Sequence, residues 1–158
     1  MNWLSLLLSS YVRSLAWKRI KRWVRESFPT VPTISTAELA DQLEQPSAPP
    51  VLVDAREPEE FALSHLPNAY HAQTIAEVVQ AGITRDMPVV VYCSIGYRSA
   101  RFARSLNEVG YQATNLEGSI FEWANEGRPL VTNRNGQVVS TDKVHPYDTL
   151  WGLLLEPK

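Results

Sequence analysis

An uninterrupted β-branched run, VVV at residues 89–91, is the feature of this sequence that most constrains its fold. Tyr92 extends the run, and Pro88 precedes it. β-Branched side chains favour extended backbone, and an apolar run without polar alternation is typical of a strand that is buried on both faces. Such burial is characteristic of parallel sheets, whose crossover helices cover both sides. The run therefore predicts a buried strand of a parallel sheet.

Strand and helix signals alternate along the rest of the chain. Ser35 and Glu38 have the spacing of a capping box, which predicts that a helix begins beside them. An alternation of strands and helices indicates an α/β domain with a parallel sheet that is covered on both faces. The predicted strands lie at Ile34, 51–54, 70–71, 88–92 and 113–116, and the predicted helices lie at 36–44, after Pro58, and at 75–80, 99–109 and 119–126.

Cys93, the single cysteine of the chain, follows the strand at 88–92 and precedes a helical pattern. The carboxyl ends of parallel strands form the usual binding edge of an open α/β sheet. The N–H groups and the dipole of a helix that begins there favour an anion, including a thiolate. Two interpretations are open at this point: a reactive thiolate, and a buried core cysteine that packs as a small apolar side chain.

The spacing after the cysteine favours the reactive interpretation. Residues 93–98 form a loop that is long enough to curl its backbone N–H groups towards one centre. Gly96 permits a positive φ within that curl. Arg98 and Ser99 fall in the first turn of the following helix and add donors for an oxyanion.

The segment CSIGYRS, residues 93–99, resembles the active loop of the rhodanese family of sulfurtransferases, which reads Cys-x-x-Gly-x-Arg-Ser. The resemblance covers about residues 33–131. Asn68 and Ser119 stand where the family has glycine, and asparagine tolerates a left-handed turn better than most residues. Three further segments resemble rhodanese motifs in the family order: VLVDAREPEEF at 51–61, SHLPNA at 64–69, and LEGS at 116–119 with Trp123 and GRP at 127–129.

The resemblance implies the rhodanese-like three-layer fold, in which helices cover both faces of a central, mostly parallel five-stranded sheet. It also implies that Cys93 is the catalytic nucleophile. The thiolate would take sulfur from thiosulfate or a persulfide donor, carry it as a persulfide, and pass it to cyanide, a thiol or a protein. A covalent intermediate of this kind gives ping-pong kinetics. No cofactor is implied.

The loop N–H groups would stabilise the sulfur anion without an adjacent general base. Arg98 has two open roles: it holds an anionic donor, or it bonds to loop carbonyls or a nearby carboxylate. The predicted anion- and substrate-binding loop comprises Ser94, Ile95, Gly96, Tyr97, Arg98 and Ser99.

Asp54 and Arg56 end a neighbouring predicted strand and are the predicted supporting residues. We expect them to form an internal ion pair that braces the loop, and not to act directly in catalysis. His65 is expected to be a hydrogen-bonded turn residue and not a base. No residues have metal-ligand spacing, so no metal site is expected.

Two other functions are weighed against sulfur transfer. Cysteine phosphatases use a Cys-x5-Arg loop, which is one residue longer than the spacing from Cys93 to Arg98 and fits a phosphoryl group. The shorter loop suits a single terminal sulfur. The other alternative is a rhodanese module that docks on a protein or membrane and carries sulfur. The cysteine within an intact loop favours sulfur transfer or carriage over an inactive module.

The first part of the chain differs from the rest in charge. Residues 1–28 contain six basic side chains and one acidic one, so the remainder of a chain with net charge −2 carries about −7. We divide the chain into a basic amphipathic N-terminal extension and linker (1–32), a rhodanese-like domain (33–131) and a C-terminal tail (132–158). We expect the apolar end of the tail to pack on the domain or on the N-terminal segment.

Helical periodicity gives the N-terminal segment two apolar stripes on nearly opposite faces, so we expect a break near residues 13–16 or a helix held between two surfaces. Its basic half suits an anionic membrane surface, and packing on its own domain or on a second subunit is the alternative. Nucleic acid is not an expected partner. No run is long enough to span a bilayer, and thiolate cycling favours the cytoplasm, with peripheral membrane attachment as an option. The stripes are Leu4, Leu7, Leu8, Tyr11 and Leu15, then Trp17, Ile20, Trp23 and Val24.

Overall fold

The computed structural model describes residues 3–45 and 47–156, and it describes side chains from residue 10 onward within those ranges. Strands and helices alternate through most of the chain. The strands are β1 (Thr33–Ile34), β2 (Val51–Asp54), β3 (Tyr70–His71), β4 (Pro88–Tyr92), β5 (Gln112–Leu116), β6 (Leu130–Arg134) and β7 (Gln137–Thr141). The helices are α1 (Trp3–Ser27), α2 (Thr36–Glu44), α3 (Pro58–Leu63), α4 (Ile75–Gln80), α5 (Tyr97–Glu108) and α6 (Ser119–Asn125), followed by a 3₁₀ helix (Trp151–Leu154).

Five strands form one sheet in the order β1-β5-β4-β2-β3, and each pairing between them is parallel. β4 is the middle strand, so its backbone is hydrogen-bonded to β2 on one side and to β5 on the other. This arrangement confirms the predicted α/β fold with a central five-stranded sheet. It also places the carboxyl ends of β2, β4 and β5 side by side at one edge.

The side chains of β4 alternate between two hydrophobic cores on opposite faces of the sheet. Val90 and Tyr92 enter one core, whereas Val89 and Val91 enter the other. Helices α2 and α6 contribute to the first core, and helices α4 and α5 contribute to the second. Because both faces are covered, the strand needs apolar residues at every position, as its sequence has.

Local sequence signals explain several element boundaries. The Ser35 hydroxyl accepts the Glu38 N–H at 3.2 Å, and the Glu38 carboxylate accepts the Ser35 N–H at 2.8 Å, so the predicted capping box is confirmed. Asn68 has a φ of 61°, the left-handed conformation that asparagine tolerates. The turn at Asn135 and Gly136 also has positive φ at both residues and joins β6 to β7 as an antiparallel hairpin.

Helix α1 is continuous from Trp3 to Ser27, so the break expected near residues 13–16 is not formed. The second apolar stripe packs on the domain: Trp17 contributes to one core, and Val24 contributes to the other. Tyr11 and Leu15 of the first stripe remain exposed, which removes the need to bury both stripes at once. The side chains of Leu4, Leu7 and Leu8 lie outside the described residues.

The end of the chain packs against α1 and α6. Leu154 is buried in the same core as Trp17, and the Arg13 Nε donates to the Leu153 carbonyl at 3.3 Å. Asn125 of α6 donates to the Leu154 carbonyl at 2.8 Å. The 3₁₀ helix is therefore anchored by both apolar and polar contacts.

Two ion pairs attach the basic half of α1 to the segment around α6. Lys21 pairs with Glu122 at 2.5 Å, and Arg25 pairs with Glu117. Part of the positive charge of α1 is therefore compensated within the chain. Among the described helices, none has both the length and the apolar character that crossing a bilayer requires.

We predict that Trp17→Ala lowers the free energy of unfolding by about 3–5 kcal/mol, because it removes a large buried side chain that joins α1 to the core. Tyr11→Ala, on the same helix but 64% exposed, should change it by less than about 0.5 kcal/mol. Urea denaturation of the full chain measures both values. Equal, small effects would contradict the packing of α1.

Candidate active site

Cys93 lies at the carboxyl end of the middle strand, where the chain leaves β4 and curls towards the N-terminus of α5. Its backbone is held from behind by the start of α6: the Ser119 hydroxyl accepts the Cys93 N–H at 3.1 Å, and the Ile120 N–H donates to the Cys93 carbonyl at 3.1 Å. The Phe121 N–H binds the Ser94 carbonyl in the same way, at 3.1 Å. These bonds fix the position of the thiol independently of its own side chain.

The loop around the thiol turns through Gly96, which has a φ of 109° and caps α5. This conformation is unfavourable for residues with a Cβ, so glycine is required here. The Gly96 N–H donates to the Cys93 Sγ at 3.2 Å, and the Ser99 Oγ lies 3.3 Å from the same sulfur. The Gly96 N–H is therefore directed at the sulfur, as an anionic sulfur needs, whereas the single hydrogen of the Ser99 hydroxyl is shared with the Asn115 Oδ1, which lies 2.6 Å from the Ser99 Oγ.

The N-terminus of α5 adds further donors to the loop. The N–H groups of the first helical turn have no carbonyl partner within their own helix, and α5 begins at Tyr97. The helix dipole there also favours negative charge.

Cys93 is only 1% exposed, yet it lines a cavity of about 160 Å³. The other lining residues are Trp23, Ser94, Ile95, Tyr97, Arg98, Tyr147 and Trp151. Cys93 therefore has features of both interpretations, the buried core cysteine and the reactive one. The residue is packed like a core cysteine, and a small molecule in this cavity would contact it.

Arg98 is engaged by a carboxylate that the sequence analysis did not assign to the site. Its guanidinium donates to both carboxylate oxygens of Glu60, at 2.8 and 2.9 Å, and to the Ser94 Oγ at 2.9 Å. The Ser94 hydroxyl in turn donates to Glu60 at 3.0 Å. Of the two open roles of Arg98, this geometry matches the pairing with a nearby carboxylate.

The pKa of Glu60 reflects this network. Burial by itself would raise the pKa of this carboxyl, but hydrogen bonds from Arg98, the Glu57 N–H and Ser94, together with the charge of Arg98, outweigh burial and hold the pKa below its ordinary value. For Arg98, burial acts to lower the pKa, and the Glu60 carboxylate raises it further than burial lowers it. Both groups therefore stay charged at neutral pH.

Asp54 and Arg56 form a separate, fully buried ion pair. The Arg56 guanidinium donates to the Asp54 carboxylate through Nε at 2.9 Å and through Nη2 at 2.7 Å, and Nη2 also donates to the Ser64 carbonyl at 2.6 Å. Burial, and then the charge of Asp54, raise the pKa of the adjacent Tyr92. Neither Asp54 nor Arg56 is among the described residues that line the cavity.

His65 and His71 are hydrogen-bonded to the backbone. The His65 Nδ1 lies 3.0 Å from the Phe61 carbonyl, and its ring stacks on Phe61. The His71 Nε2 lies 2.6 Å from the Arg56 carbonyl. Within the described part of the chain, no group of ligating side chains could hold a metal ion.

Three contributions to this site carry no sequence signal that connects them to the cysteine loop. Glu60 was visible only as an acidic residue in the first turn of α3, where the helix dipole already accounts for it. Ser119 was noted as a departure from glycine, yet its hydroxyl holds the Cys93 N–H. The aromatic residues Trp23, Tyr147 and Trp151 come from the two end segments, and no motif connected them to the cysteine loop.

The fold and the site together define an α/β domain with a cysteine loop between a parallel strand and a helix N-terminus. The chain belongs to the rhodanese-like domain family, whose model matches residues 35–126. This membership, together with relatives named sulfurtransferase, supports sulfurtransferase activity in general.

Three relatives illustrate the match. The chain is 36% identical over 83 residues to a sulfurtransferase of Allochromatium vinosum, covering 51% of this chain and 78% of that protein. It is 32% identical over 93 residues to the thiosulfate sulfurtransferase GlpE of Tolumonas auensis, covering 57% and 85%. A solved rhodanese-related protein from Thermoplasma volcanium is similar with a TM-score of 0.55 at 29% identity, covering 63% of this chain and 97% of that one.

We predict that Glu60→Gln lowers the free energy of unfolding at neutral pH by about 2 kcal/mol, because Arg98 loses its charged acceptor. Since the folded pKa of Glu60 lies below the ordinary value of 4.5, its stabilisation is fully present above that value. It is lost as the pH falls through the lower, folded-state pKa. Denaturation of both proteins at neutral and at strongly acidic pH should therefore show a difference that shrinks in acid.

Glu59→Gln is the matched control, because this neighbouring carboxylate is exposed. It should change stability by less than about 0.5 kcal/mol at either pH. A Glu60 variant as stable as this control would mean that the bonds to Arg98 and Ser94 contribute no net stability.

We predict that Ser119→Ala lowers the free energy of unfolding by about 1–3 kcal/mol, because the buried Cys93 N–H loses its acceptor. Ser119→Gly should cost less, since glycine relieves the positive φ of 51° at this position. Thermal and urea unfolding of the two variants measure which of them is more stable. The reverse order would indicate that the hydroxyl contributes little.

Proposed function

We propose that the protein transfers sulfane sulfur through a persulfide on Cys93, taking it from thiosulfate or a persulfide donor and passing it to cyanide, a thiol or a protein. The observation that carries this proposal is the environment of the sulfur. The Gly96 N–H and the Ser99 hydroxyl lie 3.2 and 3.3 Å from Sγ, at the N-terminus of a helix and beside a cavity. The Gly96 N–H and the N-terminus of α5 favour an anionic sulfur at this position.

In the first step the Cys93 thiolate attacks the outer sulfur of the donor. With thiosulfate, the S–S bond of the donor breaks, sulfite leaves with the electron pair, and Cys93 keeps the transferred sulfur as a persulfide anion. In the second step an acceptor nucleophile attacks that outer sulfur and regenerates the thiolate. A covalent intermediate divides the transfer into these two displacements.

The cysteine loop would stabilise charge in both steps. The N–H groups at the start of α5 are directed towards the end of the strand, where the outer sulfur of a persulfide would lie. The described residues that line the cavity include no histidine, so the mechanism assigned here uses no general base. The thiolate is the form that reacts.

We assign Arg98 and Glu60 a positioning role in this chemistry. Arg98 is held by Glu60 and by Ser94, and it lies beside the loop as part of the cavity wall. Asp54 and Arg56 are assigned the same kind of role at a greater distance, because their ion pair ties the end of β2 to the Ser64 carbonyl.

The loop length distinguishes this proposal from phosphatase activity. Four residues separate Cys93 from Arg98, and the Arg98 guanidinium is already bound to the Glu60 carboxylate. A phosphoryl group needs several free donors for its oxygens. The arrangement thus fits one terminal sulfur better than a tetrahedral phosphoryl group.

We predict that the protein gains the mass of one sulfur atom after incubation with excess thiosulfate or with a low-molecular-weight persulfide. Intact mass spectrometry under non-reducing conditions measures the adduct, and cyanide should remove it as thiocyanate. Because Cys93 is the single cysteine, Cys93→Ser is a complete control and should show no gain. Absence of the adduct with both donors, or a phosphoryl adduct from an aryl phosphate, would contradict the proposal.

A further inference from the structure

Three of the eight described residues that line the cavity beside Cys93 come from segments outside the family match. Trp23 belongs to α1, and Tyr147 and Trp151 belong to the C-terminal segment, whereas the match covers residues 35–126. Helix α1 and the C-terminal segment therefore both contribute side chains beside the cysteine loop. Whatever selectivity this wall confers is a property of this chain's own additions to the domain.

Each aromatic side chain is held in place by specific contacts. Trp23 stacks on Tyr97 with ring centroids 4.5 Å apart and planes at 14°. The Tyr147 ring lies under the Arg98 guanidinium, 4.6 Å from Cζ to the ring centroid. The Trp151 side chain packs against the core, and its backbone N–H donates to the Asp148 carboxylate at 2.8 Å.

The backbone around Tyr147 is specialised as well. Tyr147 has a φ of 65°, which is uncommon for a bulky residue, and its N–H donates to the His145 Nδ1 at 3.0 Å. At Gly152 an added Cβ would come within 2.9 Å of Pro146, so this turn accommodates no larger residue without a shift. Uncommon conformations of this kind persist where surrounding contacts determine them, and they concentrate at ligand sites.

The charge of the cavity is nearly balanced. Arg98 is the one cation among its described lining residues, and both terminal nitrogens of its guanidinium already donate to the Glu60 carboxylate. The loop N–H groups and the helix dipole suit one negative charge at the sulfur. Each negative charge that a donor brings beside the Cys93 thiolate enters an aromatic surrounding without an unpaired cation among the described lining residues, so a dianionic donor is disfavoured more than a monoanionic one.

The size and surface of the cavity suit a small apolar group. Its volume is about 160 Å³, and an apolar cavity of about 150 Å³ is sufficient to bind benzene. Indole and phenol rings offer flat apolar faces on which such a group packs.

We propose that Trp23, Tyr147 and Trp151 select sulfane sulfur donors that carry a single negative charge and a small apolar group, such as organic thiosulfonates, over the dianion thiosulfate. This inference rests on the proposed sulfur transfer. With such a donor, the Cys93 thiolate attacks the terminal sulfur, the bond between the two donor sulfurs breaks, and the sulfinate leaves with the electron pair. The charge is conserved: a thiolate and a thiosulfonate anion give a persulfide anion and a sulfinate anion.

Steady-state kinetics with cyanide as acceptor test the proposal, with benzenethiosulfonate and thiosulfate as the two donors. We expect the full-length protein to have a kcat/KM at least ten-fold higher for benzenethiosulfonate. Tyr147→Ala and Trp151→Ala should each lower this ratio several-fold, mainly through a higher KM for the organic donor. Tyr147 is 48% exposed, so its truncation should leave the fold intact, and the thermal midpoint checks this for both variants.

Tyr11→Ala is the matched control, because Tyr11 is an exposed aromatic residue of α1 that does not line the cavity. It should keep the donor ratio of the unmodified protein. Equal use of the two donors, preference for thiosulfate, or a folded Tyr147→Ala protein with an unchanged ratio would overturn the aromatic selection while leaving sulfur transfer intact. Failure of both donors to place sulfur on Cys93 would instead overturn the proposed function.

Discussion

The parallel pairing of β4 with a strand on each side is the constraint on which the rest of this molecule depends. It requires apolar side chains on both faces, and these in turn require helices on both faces. It also determines where the chain can leave the sheet and turn its backbone N–H groups towards a ligand. Because the strand is hydrogen-bonded along its length, the first residue free to turn out of the sheet is Cys93, and the first turn of α6 binds that residue from behind.

The charges near this edge are paired within the protein. Asp54 pairs with Arg56, and Glu60 pairs with Arg98. A buried charge without a partner is strongly unfavourable, so such pairs preserve the geometry of a site more than they add to stability. Because both arginines are paired, the backbone N–H groups of the loop are the donors that remain for a bound anion, and not a side-chain cation. In the proposed sulfur transfer, this favours a singly charged donor over a dianion.

The fold was largely predictable from the sequence because its signals are local. The β-branched run of β4 and the capping box at Ser35 each concern adjacent residues, and both predictions are confirmed. The position of Cys93 at the end of β4 follows from the same reasoning. Glu60 escaped prediction because its bonds to Arg98 span 38 residues. Of the two alternatives expected for α1, a break near residues 13–16 or a helix held between two surfaces, the break is not formed. Periodicity identifies apolar stripes but does not reveal which stripe becomes buried.

The end segments were the least predictable part because their contacts are with each other and with the domain, across nearly the whole chain. Arg13 reaches the Leu153 carbonyl over 140 residues of sequence. Yet these segments supply the aromatic wall beside the thiol. The domain provides Cys93 and the donors around it, whereas part of the cavity wall comes from Trp23, Tyr147 and Trp151, which lie outside the residues that the family model matches. The proposed donor preference therefore rests on Trp23, Tyr147 and Trp151, and not on the names of related proteins.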